Sequence, residues 1–339
     1  MPERAANHKE EGLVRMRWIV TALAVSAFLE PQAAFAQPHQ NPVVDLLAGH
    51  KPVFGLYAPA NRRGGRGGQP ALPPDSVKSP AQLAVDAVAY KLTDYIFDGS
   101  MEGNFDAGYA AFTEFSKGMA AAGMLQTSPA KRFSHPLFVK TPEIAPDLAK
   151  AGERIAKQLD LGVTGIVFVG VESADEVTKG LAMMRYKSKG GTRPDNASDA
   201  PTRWGLSDKA YRDKADVWPL NPKGELVNFT IVESKEGLAH IREIAAVKGI
   251  GVLFPGAGTL RGVFSTTDAS GQRVFDEKGR EGAIQQVLAA CKEFKVACGY
   301  PAGAADIEMR MKQGFSVFVI GWGDAGFKAV DIGRKVGER

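Results

Sequence analysis

Two rhythms of apolar and polar positions alternate along this chain from residue 53 onward. Short apolar, β-branched runs predict strands over Val53–Ala58, Tyr95–Asp98, Leu137–Thr141, Gly165–Glu172, a run closing on Glu233, Ile250–Pro255, Val296–Tyr300 and Phe315–Trp322. Between them, apolar residues spaced for one helix face predict helices over Ser79–Leu92, Phe105–Ala122, Ile144–Leu161, Ala174–Met184, Ser234–Val247, Glu281–Phe294, Ala302–Gln313 and Ala325–Val336. Apolar strands alternating with helices imply a parallel sheet covered by helices, and eight such units close into a (β/α)8 barrel of the α/β class. A doubly wound open sheet is the alternative, disfavoured because no glycine fingerprint follows the first strand. The domain runs 53–339, with inserts at 59–78, 185–224 and 258–280 that break the alternation.

The first 36 residues follow neither rhythm. Arg15 and Arg17 precede the apolar run Trp18–Leu29, and Ala34-Phe35-Ala36 supplies the small residues that a signal peptidase needs. This pattern predicts a signal peptide over 1–36, cut before Gln37, and an exported, periplasmic protein without membrane association after cleavage. A retained anchor is the alternative, although the run is shorter than the ~20 residues that cross a bilayer. Residues 37–52 read as a polar leader.

Composition narrows the function classes. With 44% apolar and 24% charged residues, the chain is neither disordered nor wholly embedded in a membrane. A net charge of +4, without a long basic block, gives no reason to expect nucleic acid as a partner. Arg62, Arg63 and Arg66 stand in a Gly/Pro-rich loop that reads as solvated. The two cysteines, Cys291 and Cys298, read as free, small core residues, and a disulfide closing the short loop between them, which export would permit, is the alternative.

In a barrel of this kind the carboxyl ends of the strands open on one mouth. That gathers Asp98 and Glu102 after strand two, Lys140 on strand three, Glu172 ending strand four, Glu233 ending strand five, Thr259 after strand six, Tyr300 after strand seven, and Trp322 with Asp324 after strand eight. A carboxylate closing an apolar strand, as Glu233 does, is costly unless it faces a ligand, a cation or water. Tyr300 and Trp322 are expected to wall the mouth. His135 reads as a polar residue before a strand, His240 as one on a helix surface.

Four stretches resemble the HpcH/HpaI aldolase and citrate-lyase beta-subunit family: DYIFDGSMEGNFD at 94–106, VKTPE at 139–143, FTIVES at 229–234 and FPGAGTL at 254–260. The resemblance implies a (β/α)8 TIM barrel of the phosphoenolpyruvate/pyruvate-domain type. It also implies a lyase that makes or breaks a carbon–carbon bond beside a carbonyl, through an enolate-like intermediate assisted by Mg²⁺ or Mn²⁺. By the same resemblance Glu233 stands at the family's metal-binding Glu and Thr259 at its Asp. Glu102 stands at its proton-transferring His, and Lys140 at its carboxylate-binding Arg. Gly256, Ala257 and Glu172 join Lys140 as implied substrate contacts, the substrate being a small carbonyl or carboxylate compound.

Three of these positions depart from the family's residue. Thr259 offers a neutral oxygen, a weaker partner for a hard cation than a carboxylate. Lys140 keeps the charge of Arg but not its two-pronged geometry. Glu102 can carry a proton where burial supports it. Simultaneous replacement also suits two other readings: an exported binding or accessory protein that has lost metal catalysis, and altered lyase or hydrolase chemistry on an aromatic, lignin-like compound. Family assembly through terminal helices, with apolar Phe327, Val330 and Ile332, predicts a homo-oligomer.

Overall fold

The computed structural model describes residues 38–61, 73, 76–196 and 199–339. The expected signal peptide and Arg62, Arg63 and Arg66 lie outside the described residues. Eight parallel strands form the barrel: β1 (Val53–Tyr57), β2 (Tyr95–Asp98), β3 (Leu137–Lys140), β4 (Gly165–Phe168), β5 (Leu226–Val232), β6 (Val252–Pro255), β7 (Ala297–Ala302) and β8 (Val317–Ile320). They pair in the order β4-β3-β2-β1-β8-β7-β6-β5, and β4 pairs with β5 to close the ring. The (β/α)8 expectation therefore holds, and all eight predicted strands lie in the barrel.

Period-two alternation divides each strand between two environments. Val53, Tyr95, Phe97, Phe138, Val167, Val227, Phe229, Ile231, Val252, Phe254, Val317 and Val319 form the cluster inside the barrel. The intervening residues, such as Phe54, Ile96, Val139 and Phe318, pack outward against the helices. Four interior rings run in series from β2 to β6, with Tyr95–Phe138, Phe138–Phe229 and Phe229–Phe254 centroids 4.8, 4.7 and 5.2 Å apart, the middle pair meeting across Gly165 of β4. Glycines make room for them. A Cβ on Gly55 would overlap the Tyr95 ring, one on Gly165 the Phe138 ring, and one on Gly299 the Phe254 ring.

The segment read as a polar leader is structured. Asn41 accepts a hydrogen bond from the Val43 amide at 3.1 Å, Pro42 supplies a preset first-turn φ, and a helix runs over Pro42–Ala48. Val43, Val44 and Leu47 on this helix are buried in the interior cluster, so the helix closes the barrel's lower end. Glu225, just before β5, holds the segment: its carboxylate accepts from the amides of Gln40 (3.0 Å) and Asn41 (2.8 Å) and from Lys214 Nζ (2.9 Å). The short PVVDLLA run carries a helical stripe, but its length of about two turns was masked by the polar residues on either side.

Other departures are local. The helix predicted over Ser234–Val247 is two short helices, Lys235–Ala239 and Ile241–Ala245, divided at His240. The insert at 185–224 packs as part of the core, with Trp204 and Tyr211 fully buried and edge-on at 4.9 Å. The insert at 258–280 contains the helix Ala257–Val263 and the hairpin Ser265–Thr267/Arg273–Phe275, whose Val274 and Phe275 are exposed. Cys291, on the helix Glu277–Phe294, and Cys298 in β7 form a disulfide. In the last helix, Asp324–Val336, Val330 is buried and Phe327 stacks on Tyr90 at 4.2 Å. Phe327 and Ile332 are partly buried against the same core. No helix among the described residues is long and apolar enough to cross a membrane.

Candidate functional site

At the carboxyl ends of the strands the interior opens into a cavity of about 220 Å³. Phe97, Val167, Phe229, Ile231, Phe254 and Val319 make its apolar floor and walls. Polar groups enter at the rim from Tyr57, Lys140, Glu233 and the segment Gly256–Thr259. A small apolar cup with a few convergent polar groups is the form that small-ligand sites usually take.

Strand parity aims the key side chains. Lys140 is two residues beyond inward-facing Phe138, and Glu233 two beyond inward-facing Ile231, so both turn into the cup. Lys140 Nζ donates to Glu102 Oε1 and Oε2 at 3.0 and 2.9 Å. The Lys140 main chain is fixed from behind by Gln158 Nε2, which donates to its carbonyl at 2.9 Å. Glu102 stands on a tight turn held at both ends. Asp98 accepts from the Ser100 amide (2.9 Å) and hydroxyl, Met101 is fully buried, and Asn104 caps the following helix.

Glu233 Oε1 accepts from the Gly170 amide at 3.1 Å. Its other oxygen lies against Gly256, where a Cβ would overlap Glu233 Cβ and Oε2. Gly256 caps the helix Ala257–Val263 without a side-chain hydrogen bond. The first-turn amides of Ala257, Gly258 and Thr259 have no intrahelical acceptor, and all three residues border the cup. Burial pushes the Tyr57 phenol up, Lys140 opposes this, and Glu102, Asp98 and Glu233 reinforce it. One hydroxyl thus feels all four charged groups.

The cup brings Lys140, Glu233, Gly256, Ala257 and Thr259 together, with Glu102 bound to Lys140. It does not take in Glu172, which lines a neighbouring recess with Glu143, Ser173, Glu176 and His240. There the Glu172 amide donates to Glu176 Oε2 at 3.0 Å, and His240 Nδ1 lies 3.1 Å from its carbonyl oxygen. Asp98 serves the turn rather than the cup, and burial raises its carboxyl despite the Ser100 hydrogen bonds. Tyr300 does not wall the mouth: it lies outside the barrel, with its hydroxyl accepting from Arg310 Nη2 at 3.1 Å, and Pro301 faces the cup instead. Trp322 packs against Phe327 at 5.1 Å, also away from the cup. His135 is buried between Ser134 Oγ (2.7 Å) and the Tyr90 carbonyl (2.8 Å), and burial lowers its pKa. Sequence reasoning missed Tyr57; the signal was its position two residues beyond Gly55, on the inward parity of β1.

Whether these residues suit a divalent cation turns on the donor set. Among the described residues, Glu233 is the one carboxylate lining the cup, and one of its oxygens already accepts a backbone hydrogen bond. Thr259 is neutral, and among the described residues no three His, Cys, Asp or Glu gather at metal-binding distance. A hard cation needs more oxygen donors, preferably anionic, than this. The protein's own residues therefore do not fit a resident Mg²⁺ or Mn²⁺ held by Glu233 with Thr259.

Residues 118–322 match the family model described as HpcH/HpaI aldolase/citrate lyase. A hydroxypyruvate/pyruvate aldolase from Delftia acidovorans is 31% identical over 146 residues, 43% of this chain and 49% of that protein. The chain spans about half the length of the curated relatives it matches. The structure of an HpcH/HpaI aldolase/citrate lyase family protein from Burkholderia cenocepacia superposes with a TM-score of 0.61 at 18% identity, covering 88% of this chain and 98% of that one. A citrate lyase beta subunit from M. tuberculosis, complexed with oxaloacetate and magnesium, covers 87% of this chain and all of its own, at a TM-score of only 0.48 and 16% identity. That overlay is too loose to carry its metal to this cup.

Proposed function

The chain belongs to the HpcH/HpaI aldolase/citrate lyase family, and on that premise we propose that it is a carbon–carbon lyase acting on a small 2-oxo acid through an enolate-like intermediate. The observation that carries this reading is the Lys140–Glu102 pair at the wall of an apolar cup. A cation fixed where negative charge develops, in surroundings of low polarity, lowers the barrier to forming an enolate. The carboxylate bound to that cation, Glu102, is the group this reading assigns to moving the proton. Glu233, held by Gly170 and Gly256, sets a negative boundary that orients the acid with its carboxylate away from it.

The test is hydrogen exchange at the methyl group of pyruvate, followed by proton NMR in D₂O with the purified full-length protein. It is run with chelator, with added Mg²⁺ and with added Mn²⁺, so that the metal assistance implied by the family is measured in the same series. Exchange by wild type that falls at least ~100-fold in Glu102→Gln would support the reading, in line with the usual weight of a general acid–base group. Binding of 2-oxo acids without any exchange would favour the accessory-protein reading, and neither binding nor exchange would end both.

A further inference from the structure

We propose that Lys140 acts as a covalent, imine-forming nucleophile toward the 2-oxo carbonyl, so that the electron sink of the reaction is a protonated imine. This rests on the lyase reading above and assigns its chemistry. Among the described residues that line the cup, Lys140 carries the only amine. It projects from the end of a barrel strand, its side chain is only 15% exposed, and the walls beside it are Phe97, Val167, Phe229 and Ile231. Apolar walls favour the uncharged, nucleophilic amine that imine formation requires. The one carboxylate bound to the amine, Glu102, lies at 2.9 to 3.0 Å through both oxygens and is itself 38% exposed, so it can exchange protons with both the amine and solvent. The donor set at Glu233 and Thr259, by contrast, does not suit a resident cation, which leaves the enolate's charge in need of another sink.

The steps balance as follows. Glu102 takes a proton from the Lys140 ammonium, and the freed Nζ pair forms a bond to C2 while the carbonyl π pair moves to oxygen. One proton passes from Nζ to that oxygen and Glu102 returns the second, so the carbinolamine expels water and leaves a protonated C=N bond that keeps one hydrogen on Nζ. Glu102, again a carboxylate, removes the proton of the hydroxyl on C4. The C3–C4 bond breaks, the aldehyde departs, and the bonding pair becomes the C2=C3 bond of an enamine as the C=N π pair moves to nitrogen. C3 then takes a proton from Glu102, and addition of one water to the imine releases the 2-oxo acid and restores the Lys140 ammonium. The water released in the first half is matched by the water taken up in the second, and no oxidant or reductant is needed. With pyruvate alone, the same imine loses and regains protons at C3, which is the exchange described above.

Borohydride reduction of the full-length protein in the presence of pyruvate, with peptide mass spectrometry, reads this directly. The expected result is a reduced pyruvyl adduct on Lys140, absent without pyruvate, together with exchange that persists in chelator. Lys140→Arg keeps the positive charge beside Glu102, so it separates the two possible roles: imine chemistry predicts that exchange falls below detection, whereas purely electrostatic stabilisation predicts that much of it survives. Exchange by wild type without an adduct on Lys140, or exchange retained in Lys140→Arg, would overturn the imine while leaving the lyase reading standing. Absence of both exchange and adduct in wild type would remove the lyase reading as well.

Discussion

Gly256 and Glu233 are packed so closely that a methyl group on the first would occupy the space of the second's Cβ and Oε2. The backbone at Gly256 has φ −72°, which alanine adopts freely, so the lack of a side chain there answers to Glu233 and not to the turn. Gly256→Ala is expected to destabilise the fold by about 1–3 kcal/mol, as overpacking of a close-fitted position does. It should also push Glu233 off the Gly170 amide and so lower pyruvate exchange. Thermal unfolding and the NMR assay check the two effects separately.

Thr259 borders the same cup as Glu233 from the adjoining helix. Thr259→Asp is expected to raise affinity for Mn²⁺ by at least about tenfold, or ~1.4 kcal/mol, by giving the cation a second carboxylate. Isothermal titration calorimetry measures it. Equal affinity in the two proteins would mean that positions 233 and 259 do not share a cation.

The amino-terminal segment should titrate with two limbs. Burial by itself would raise the Glu225 carboxyl, but hydrogen bonds from His39, the Asn41 and Gln40 amides and Lys214 outweigh it and hold it below its ordinary 4.5. The His39 imidazole is held above its ordinary 6.5, chiefly by its hydrogen bond to Glu225 and against its own burial. A depressed acid contributes stability that is present above 4.5 and lost as pH falls through its folded value; a raised histidine contributes stability that is present below 6.5 and lost as pH rises through its folded value. Both contributions are therefore complete between those ordinary values. Urea midpoints measured across pH should show His39→Gln flattening the alkaline limb alone. Glu225→Gln should cost on the order of 3 kcal/mol at neutral pH, because it leaves buried donors without their charged acceptor.

The Cys291–Cys298 bond closes a loop of sequence separation 7 between the helix Glu277–Phe294 and β7. On the chain-entropy account a loop this short contributes about 2.5 kcal/mol. Denaturant unfolding with and without reductant is expected to differ by roughly that amount, and Cys291→Ala with Cys298→Ala should abolish the difference. A disulfide here suits the exported state expected from the amino-terminal pattern.

Much of the barrel was legible because burial on both faces leaves continuous apolar runs, and each of the eight strands carries one. The cup was legible where a charged residue interrupted such a run, as at Lys140 and Glu233. Tyr300 was misjudged because its run, ACGYPA, gives no polar–apolar contrast from which to count parity, and only the pairing of Gly299 with Val317 shows which residues face in. Glu172 was misjudged for a related reason. Its strand ends at Phe168, and Gly170, at φ 61°, breaks the alternation after Val169, which carries Glu172 to the neighbouring recess. The helix Pro42–Ala48 escaped notice because its role is set by a long-range contact, Glu225 with Gln40 and Asn41, that no local pattern encodes.

With the helix Pro42–Ala48 stoppering one end of the barrel and interior rings packed between it and the cup, the cup opens, among the described residues, at the carboxyl ends of the strands. Whatever enters must leave the way it came, and two fragments of one substrate cannot depart side by side. The outer fragment goes first, and the inner one blocks the next arrival until it follows. On the proposed lyase reading, the retained product is expected to compete with the whole substrate, and the reverse reaction to require that the inner partner load before the outer.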